Sequence, residues 1–188
     1  MDAEWEPFAA IILAGGRAAR LDGVDKAGVE VGGRTLLAWS LDALVDAAEV
    51  VVVGDQVPTE RPVTFVREDP RYGGPVAALC TGLDALLRPT AYVVVVAVDM
   101  PRLTAGTVSR LRRAAKDRDG AALAGPDGRR QLALALSASR LAEVRPDHEG
   151  QHGMPLRVLL AGLELVEVPA RDDEHKDIDT WADLRDIG

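Results

Sequence analysis

The chain has 188 residues, of which 47% are hydrophobic and 28% are charged, a composition that predicts one folded domain with a sizeable core. The formal net charge of −8, without a basic stripe, argues against nucleic acid as a partner. No apolar run reaches the roughly 20 residues of a membrane span and the first residues lack the pattern of a secretory signal, so we expect a cytoplasmic protein that does not bind membranes.

The first predicted element is a short apolar strand over residues 9–13, which runs directly into a glycine-rich loop. Gly15 and Gly16 lack Cβ atoms at a point where backbone N–H groups could approach phosphate oxygens. Three cationic side chains follow: Arg17, Arg20 and Lys26. The loop lacks the third glycine of the dinucleotide fingerprint and the Gly-Lys-Ser/Thr of the P-loop. It predicts a cradle for a nucleotide triphosphate, and a surface loop of solvated arginines is the alternative.

Strands and helices then alternate through the first half of the chain. The apolar periodicity predicts, in order, a helix over residues 36–48 capped by Thr35, strands over 49–53 and 63–66, a helix over 76–87 and a strand over 91–98. Gly73-Gly74-Pro75 breaks the chain before the second of these helices. The strand over 91–98 is the most hydrophobic, so it is expected at the centre of the sheet.

The second half is less regular. It predicts a helix over 105–117, strands over 121–124 and 131–136, a pair of helices, a strand over 163–168 and a last helix after Thr180, with Asp183 completing a capping box. Together the elements predict an α/β fold with three α/β/α layers and a mostly parallel, Rossmann-like sheet. Since ligands bind at the carboxyl ends of such strands, we expect the residues that follow them to meet at one edge: Gly15, Gly54, Asp69 and Asp99.

Two groups of carboxylates are candidates for a metal site. Asp99 follows five aliphatic residues and precedes a Met-Pro pair, so the chain leaves the sheet with a carboxylate at its tip. Mg²⁺ prefers one or two carboxylates with water and substrate phosphates, although Asp99 could instead cap the next segment. Alternation places Asp177 and Asp179 on one side, where one of them could complete the metal site or contact an acceptor. Capping of the last helix is the alternative for both.

Residues 13–26 resemble the signature Leu-Ala-Gly-Gly-x-x-x-Arg-Met-Gly-x-Asp-Lys of molybdenum cofactor guanylyltransferases, the MobA-like nucleotidyltransferases, with one residue inserted and Leu21 in place of Met. Residues 68–79, 94–101 and 175–180 are similar to further segments of that family. The resemblance implies one nucleotidyltransferase domain over residues 1–188, of the nucleotide-diphospho-sugar transferase type. Within it we expect a nucleotide-binding half over 8–104, an acceptor-binding half over 105–188 and a flexible start over 1–7.

The same resemblance implies an enzyme that depends on Mg²⁺ and transfers GMP from GTP to molybdopterin or its molybdenum-loaded form. The products are the guanine dinucleotide cofactor and pyrophosphate, and proteins that deliver the cofactor to molybdoenzymes are potential partners. Three alternatives stay open: cytidylyl transfer from CTP to molybdopterin, nucleotidyl transfer to a sugar phosphate, and a non-catalytic nucleotide-binding adaptor.

The resemblance also assigns roles to individual residues. Lys26 and Arg20 would stabilise charge on the transferred and departing phosphates, and Asp99 with Asp179 would bind the metal. The nucleotide-binding residues would be Leu13, Ala14, Gly15, Gly16, Lys26, Gly54, Asp69, Gly74 and Asp99. The acceptor-binding residues would be Arg130, Gln131, Asp177 and Asp179, although the arginine could be a solvated surface residue. Gly54 stands where some relatives have a base-reading Asn, and Asp55 is a candidate to replace it as a guanine acceptor.

Two further features carry no chemistry in this interpretation. His148-Glu149-Gly150-Gln151-His152 matches the zinc-protease motif His-Glu-x-x-His, but Gly150 within it and prolines on both sides argue against the stable helix that the motif requires. We therefore expect a mobile loop near the acceptor. Cys80 cannot form an internal disulfide, since it is the only cysteine, and it is expected as a small residue of the core.

Overall fold

A seven-stranded sheet lies at the centre of the computed structural model, which describes residues 6–15, 20–21, 24–69 and 71–185, with the backbone alone for 20–21. The first half of the chain contains β1 (Phe8–Leu13), β2 (Arg20–Leu21), β3 (Val24–Asp25), a 3₁₀ turn (Lys26–Gly28), β4 (Glu30–Val31), β5 (Arg34–Thr35), α1 (Leu36–Ala43), β6 (Glu49–Val53), β7 (Thr64–Val66), α2 (Pro75–Asp84) and β8 (Tyr92–Ala97). The second half contains α3 (Ala105–Ala115), β9 (Gly120–Ala124), β10 (Arg130–Ser137), α4 (Ala138–Val144), α5 (His148–Gln151), α6 (Leu156–Leu160), β11 (Leu165–Pro169) and α7 (Trp181–Arg185).

The strands follow the order β11-β9-β10-β8-β1-β6-β7 across the sheet. Neighbouring strands are parallel except where β10 runs antiparallel to β8 and β9. The predicted mostly parallel sheet is therefore confirmed, and β8, the most hydrophobic strand, occupies its centre as expected. In register, Ile11 of β1 lies between Val51 of β6 and Val95 of β8, so branched side chains fill the middle of the sheet.

Side chains alternate between the two faces of the sheet, and helices cover each face. Ala10 and Ile12 belong to a buried cluster with α1 and α3, whereas Ile11 belongs to a second cluster with α2, α4 and α6. The three α/β/α layers are thus confirmed. Cys80 of α2 is buried in the second cluster, where burial raises the pKa of its thiol, so it is a core residue as expected.

The first helix begins where the sequence predicts but ends at Ala43 rather than at residue 48. Its start is capped by the Thr35 hydroxyl, which accepts a hydrogen bond from a backbone amide of the first turn (3.1 Å). Its end depends on Arg61, whose guanidinium donates to the carbonyl oxygens of Leu44 (2.8 Å) and Ala47 (2.6 Å). Because a distant side chain satisfies these carbonyls, the chain turns towards β6 without a further helical turn.

The region between β10 and β11 differs from the prediction. The predicted pair of helices is three short helices, α4, α5 and α6. The stretch expected to be a loop, residues 148–152, contains the single-turn helix α5. The Asp147 carboxylate accepts a hydrogen bond from the Gly150 amide (2.7 Å), and this cap offsets the low helix propensity of glycine. His152 has extended backbone at the end of α5, so it does not share a continuous helix with His148.

The last helix begins as predicted. The Thr180 amide donates to Oδ2 of Asp183 (2.7 Å), and the Asp183 amide donates back to the Thr180 hydroxyl (3.3 Å), which completes the capping box. In the part of the chain that the structure describes, no helix is both long enough and apolar enough to cross a bilayer.

Candidate active site

The carboxyl ends of β1, β6, β7 and β8 form one edge of the sheet. Backbone hydrogen bonds join the segments that leave these strands. The Ala14 amide donates to the Val53 carbonyl oxygen (2.9 Å), and the Gly54 amide donates to the Val66 carbonyl oxygen (2.8 Å). The Val98 amide donates to the Leu13 carbonyl oxygen (3.1 Å). The residues that follow the strands consequently meet at this edge, as the topology predicted from the sequence requires.

Lys26 lies at this edge between two carboxylates from distant parts of the chain. Its Nζ is 3.1 Å from Oδ2 of Asp99 and 2.9 Å from Oδ1 of Asp179. The Lys26 side chain is only 1% exposed, whereas that of Asp179 is 68% exposed. The 3₁₀ turn that begins at Lys26 is capped by Asp25, whose Oδ1 accepts a hydrogen bond from the Ala27 amide (3.0 Å). The local turn thus directs one ammonium group onto a pair of carboxylates.

Burial and charge pairing act in opposite directions on this cluster. Burial lowers the pKa of Lys26, but the hydrogen bond with Asp179 and the charge of Asp99 outweigh it and hold the pKa above its usual value. Burial raises the pKa of Asp99; Lys26 opposes that increase, while Asp177 and Asp179 add to it. Lys26 is therefore a cation near neutral pH, where it compensates part of the negative charge of these carboxylates.

The segment between β11 and α7 brings Asp177 and Asp179 beside Asp99. Ile178, between them, is fully buried, and its amide donates to the Asp99 carbonyl oxygen (2.9 Å). The two aspartates flank this buried residue and are both exposed. Asp179 contacts Lys26, and the charge of Asp177 acts on Asp99, so both carboxylates belong to the surroundings of the same cluster.

A buried glutamate anchors the same segment to α3. Glu174 accepts hydrogen bonds from the two terminal nitrogens of Arg110 (3.0 and 2.6 Å), from the Thr107 hydroxyl (2.6 Å) and from the Arg171 amide (2.8 Å). Thr107 also forms a capping box with Thr104 at the start of α3. Burial raises the pKa of Glu174, but these hydrogen bonds outweigh it and lower the pKa, so the anchor is an ionised carboxylate near neutral pH.

Beside the Lys26 cluster, a pocket opens over the ends of β1, β6 and β7. The residues that line it include Ala14, Gly15, Gly54, Asp55, Arg67 and Tyr72. A Cβ atom on Gly15 would lie 3.3 Å from the Val53 carbonyl oxygen, and one on Gly54 would lie 3.0 Å from the carbonyl carbon of Ala14. The absence of side chains therefore lets the two loops touch and leaves backbone at the wall of the pocket.

A second groove lies on the side of β9 and β10. It is lined by the four residues predicted to contact an acceptor, Arg130, Gln131, Asp177 and Asp179. Arg130 is not simply solvated, because its Nε lies 3.1 Å from the Glu167 carboxylate. Arg102 and His175 also line the groove, and each has a buried nitrogen, Nε and Nδ1 respectively, without a hydrogen-bond partner within the described residues. Because these two nitrogens are buried, the polar groups that the groove presents to a ligand are instead side chains such as the four predicted ones.

Some residues predicted to bind nucleotide lie apart from the pocket lining. Asp69 is 84% exposed, and its carboxylate lies 3.8 Å from Nε2 of His148. Gly74 is the N-cap of α2, with a φ of 93° that favours glycine, and the Leu13 side chain packs against the second core cluster. Gly16 and Arg17 lie outside the described residues, and only the backbone of Arg20 is described.

Sequence reasoning missed Arg67, Arg71 and Tyr72 in the pocket and Glu174 beneath the second groove. Arg67 follows β7 directly, just as Gly54 follows β6, so the rule that selected Gly54 could have selected Arg67 as well. Glu174 lies in a polar run of the sequence that gives no sign of burial.

Asp99 and Asp179 suit a divalent cation. Oxygens of both carboxylates converge on one cationic atom, the Nζ of Lys26. Hard oxygen ligands of this kind fit Mg²⁺, which takes one or two carboxylates and completes its shell with water and substrate phosphates. Over the ranges that the structure describes, no group of three or more His, Cys, Asp or Glu side chains could hold a metal by itself. Substrate oxygens would therefore be needed to complete a metal site here.

Comparison with known sequences adds a family and two relatives. A family profile described as "MobA-like NTP transferase domain" matches residues 10–168. A molybdenum cofactor guanylyltransferase of Rhodopseudomonas palustris (strain HaA2) is 38% identical in an alignment that covers 68% of this chain and 64%, just under two thirds, of that protein. A probable molybdenum cofactor guanylyltransferase of Opitutus terrae is 34% identical in an alignment that covers 96% of this chain and 93% of that protein.

Comparison with solved structures shows that the fold is shared more widely. The complex of Rv0371c from Mycobacterium tuberculosis H37Rv with manganese superposes with a TM-score of 0.74 over 97% of each chain. The two sequences are only 15% identical, so this likeness concerns the fold.

Proposed function

The chain belongs to the MobA-like NTP transferase family, and we propose that it transfers GMP from GTP to molybdopterin or the molybdenum cofactor, with release of pyrophosphate. One observation carries the proposal: Lys26 Nζ lies within 3.1 Å of Asp99 and 2.9 Å of Asp179, beside a pocket walled by glycines. Phosphoryl chemistry needs a cation for phosphate oxygens and carboxylates that can anchor a metal. The choice of guanine and of a molybdenum cofactor rests on the names of the two relatives.

In this proposal the triphosphate lies at the start of the glycine-rich loop, where the Gly15 amide can donate to a phosphate oxygen beside the backbone of Ala14. Gly16 keeps its predicted role as a phosphate contact. Lys26 and Arg20 stabilise the charge that develops on the transferred and departing phosphates. An ammonium group has three N–H donors, and Lys26 directs two of them at Asp99 and Asp179. With a divalent cation between these two carboxylates, Lys26 would turn from them and donate to a phosphate oxygen of the nucleotide.

Asp99 and Asp179 would hold Mg²⁺, and the manganese complex of Rv0371c supports a divalent cation on this fold. When bound, the cation would neutralise phosphate oxygens and help to orient the triphosphate. The Ile178 amide keeps its hydrogen bond to the Asp99 carbonyl oxygen, so this chain supplies both carboxylates from a fixed backbone arrangement.

The groove beside β9 and β10 would bind the acceptor. Arg130, Gln131, Asp177 and Asp179 line it, and the Arg130 guanidinium and the Gln131 amide can donate to a phosphate or a pterin. We accordingly assign residues 8–104 mainly to the nucleotide and residues 105–188 mainly to the acceptor. The Lys26 cluster lies where the pocket and the groove adjoin, since Asp179 borders the groove and contacts Lys26.

The reaction is an in-line displacement at the α-phosphorus of GTP. An oxygen of the acceptor's terminal phosphate forms a bond to this phosphorus while the bond to the α–β bridging oxygen breaks, and the electron pair leaves with pyrophosphate. A phosphate monoester is largely ionised near neutral pH, so the chain needs no general base. Its residues contribute by positioning the two substrates and by neutralising their charge.

The proposal is tested by mixing the protein with Mg²⁺, either molybdopterin or a sugar phosphate as acceptor, and one of GTP, CTP, ATP or UTP, and measuring pyrophosphate release. Release with GTP alone is expected. Release with CTP alone would replace guanylyl by cytidylyl transfer, and release only with a sugar phosphate as acceptor would refute the molybdopterin assignment. Tight GTP binding without release under any of these conditions would favour a nucleotide-binding adaptor.

A further inference from the structure

One wall of the groove beside β9 and β10 is built around a residue that does not face the groove. Side chains on both sides of Glu174 line it, namely Asp173, His175, Lys176, Asp177 and Asp179. Glu174 itself is buried, and its carboxylate meets α3 instead. The placement of Glu174 therefore decides how its neighbours are presented to a ligand in the groove.

Local turns give this segment its shape but not its place. The Glu174 amide donates to the Arg171 carbonyl oxygen (3.2 Å), and the Lys176 amide donates to the Asp173 carbonyl oxygen (3.0 Å), so both bonds stay within the segment. Among the described residues, the next backbone hydrogen bond to another element is that of the Ile178 amide, beyond these turns. Residues 171–177 thus depend on side-chain contacts for their position against α3.

Glu174 supplies that contact through a carboxylate that several donors hold. Arg110 donates from its two terminal nitrogens, one to each carboxylate oxygen (3.0 and 2.6 Å), and the Thr107 hydroxyl donates as well (2.6 Å). Thr107 is fully buried, and its capping box with Thr104 holds it at the start of α3. A planar guanidinium that meets both oxygens fixes the direction of the carboxylate as well as its distance. The contact therefore sets the orientation of the segment.

An ion pair is a costly way to attach the segment if stability is the only requirement. Most of the Glu174 and Arg110 side chains is removed from solvent, with 10% and 17% left exposed, so both charges lose hydration. A pair of apolar side chains of similar volume is often as stable, but it can slide. The ion pair adds a defined geometry, and α3, to which it attaches the segment, is the helix that follows β8 and Asp99 along the chain.

We propose that Glu174, held by Arg110 and Thr107, is a positioning residue that keeps residues 173–177 in place as a wall of the groove, so that a bound acceptor is aligned with the nucleotide. The inference rests on the proposed function, which assigns the groove to the acceptor. Residues 173–177 are not among those that line the nucleotide pocket in the described part of the chain. Loss of the anchor should therefore weaken the use of the acceptor and leave nucleotide binding unchanged.

The double variant Arg110→Met, Glu174→Met separates positioning from stability. Removal of one partner would strand the other charge, whereas replacement of both leaves two apolar side chains, and the Thr107 hydroxyl keeps its contact with the Thr104 hydroxyl (3.0 Å). The urea midpoint should stay near that of the wild-type protein. The KM for the acceptor, measured by pyrophosphate release, should rise roughly 10–100-fold. The dissociation constant of GTP with Mg²⁺, measured without an acceptor, should not change.

A second measurement requires neither substrate. The Ile178 amide is the next fixed point of the segment, with a hydrogen bond of 2.9 Å to the Asp99 carbonyl oxygen. If Glu174 holds the segment, this amide should exchange its hydrogen about tenfold faster in the double variant at an unchanged urea midpoint, through local opening. Hydrogen exchange followed by nuclear magnetic resonance measures the rate.

Two further variants control the comparison. Asp84→Met, Arg145→Met replaces an ion pair of similar geometry (2.7 and 2.6 Å) at the end of α2, outside the linings of the pocket and the groove, and should change neither the acceptor KM nor the Ile178 exchange. Arg110→Lys keeps the charge beside Glu174 but lacks the planar fork. It should raise the acceptor KM by a smaller factor, and it gives a folded protein for the test even if the double Met variant does not fold.

The outcomes separate this inference from the proposed function. A double variant that matches the wild-type protein in either the acceptor KM or the Ile178 exchange would overturn the role of Glu174. An equal rise of the acceptor KM in the Asp84 and Arg145 control, or an equal rise of the GTP dissociation constant, would overturn it too, because the loosening would then be general. A wild-type protein that releases pyrophosphate with no acceptor would refute the proposed function, and the Ile178 exchange would still decide whether Glu174 holds the wall.

Discussion

The Ile178 amide donates a hydrogen bond to the carbonyl oxygen of Asp99 across 2.9 Å, and this bond joins the two segments that carry the carboxylates of the site. Asp179 follows Ile178 directly, so the backbone sets its position relative to Asp99 independently of Lys26. Ile178 is also fully buried, which keeps the segment from sliding along the edge of the sheet. The two carboxylates should therefore stay close together when Lys26 is replaced or turns to a phosphate oxygen.

Asp99→Asn should lower kcat by about 10²–10³. The amide has nearly the shape of the carboxylate and still accepts a hydrogen bond from Lys26, but it removes the charge that we assign to metal binding. Burial already raises the pKa of Asp99, so a neutral side chain should be tolerated and the circular dichroism spectrum should not change. Pyrophosphate release at saturating GTP and Mg²⁺ measures the effect. Asp84→Asn is the control, because Asp84 pairs with Arg145 at the end of α2, outside the pocket lining. Wild-type activity in Asp99→Asn would remove Asp99 from the site.

Lys26→Met should bind Mn²⁺ about tenfold or more tightly than the wild-type protein in the absence of nucleotide. In the wild-type protein the Lys26 ammonium lies between Asp99 and Asp179, where a divalent cation would have to bind. Methionine fills a similar volume without charge, so the carboxylates are left to attract a cation. The electron paramagnetic resonance signal of free Mn²⁺ gives the affinity.

The double variant Lys26→Met, Asp179→Asn is the control for this measurement, and it should lose the gain in affinity. If Lys26→Met binds Mn²⁺ no better than the wild-type protein, Asp99 and Asp179 do not form a metal site together. That conclusion would stand whatever the catalytic activity of either variant.

The sequence alone predicts the location of those site residues that come directly after a strand. Gly15, Gly54 and Asp99 could be located because each comes directly after an apolar run, and parallel strands end at a common edge. The contact between Lys26 and Asp179 spans 153 positions of the chain, and no local pattern encodes a contact at that separation. The resemblance to a family gave Asp179 as a metal or acceptor ligand, and neither it nor periodicity predicted the contact with Lys26.

The features that sequence reasoning missed depend on long-range side-chain contacts. The early end of α1 at Ala43 follows from hydrogen bonds donated by Arg61, which lies on a loop that periodicity does not describe. The burial of Glu174 depends on Arg110 and Thr107 of α3, so its polar neighbourhood in the sequence is uninformative. Such contacts are decided by how the layers pack, after the elements themselves have formed.

Glu174→Gln should lower the free energy of unfolding at pH 7 by about 2 kcal/mol, because an amide cannot accept from Arg110, Thr107 and the Arg171 amide as a carboxylate does. Burial raises the pKa of Glu174, but these hydrogen bonds lower it overall. Native Glu174 therefore binds a proton less readily than in the unfolded chain, so its contribution is complete above the ordinary glutamate pKa of about 4.3 and is lost as the pH falls through the lowered value.

Urea unfolding of the wild-type protein and Glu174→Gln at several pH values tests the direction of this pH dependence of stability. The difference in unfolding free energy between the two proteins should shrink as the pH is lowered from about 4.3. A difference that stays constant over this range would show that the carboxylate is not held in its ionised form by these contacts. Arg110→Met should show the same convergence with acid, since it removes the charged partner of the same pair.

Gly120→Ala should lower the free energy of unfolding by about 2–3 kcal/mol, because the first residue of β9 has no room for a Cβ atom. A Cβ at this position would lie 2.6 Å from the Ala135 carbonyl oxygen and 2.9 Å from side-chain atoms of Leu136 and Leu165. The carbonyl belongs to the β10 backbone, which cannot move aside without breaking the ladder between β9 and β10.

Gly106→Ala is the matched control for this substitution, since Gly106 lies in the first turn of α3 and its added Cβ would meet Thr104 Oγ1 at an ordinary 3.4 Å. It should stabilise the protein by up to about 1 kcal/mol through the higher helix propensity of alanine. The same methyl group should thus change stability in opposite directions at the two sites, because it meets a fixed backbone carbonyl at Gly120 and only an ordinary side-chain contact at Gly106. Chemical denaturation of both variants measures this contrast, and a Gly120→Ala protein as stable as the wild type would mean that β9 and β10 are not packed as closely as described.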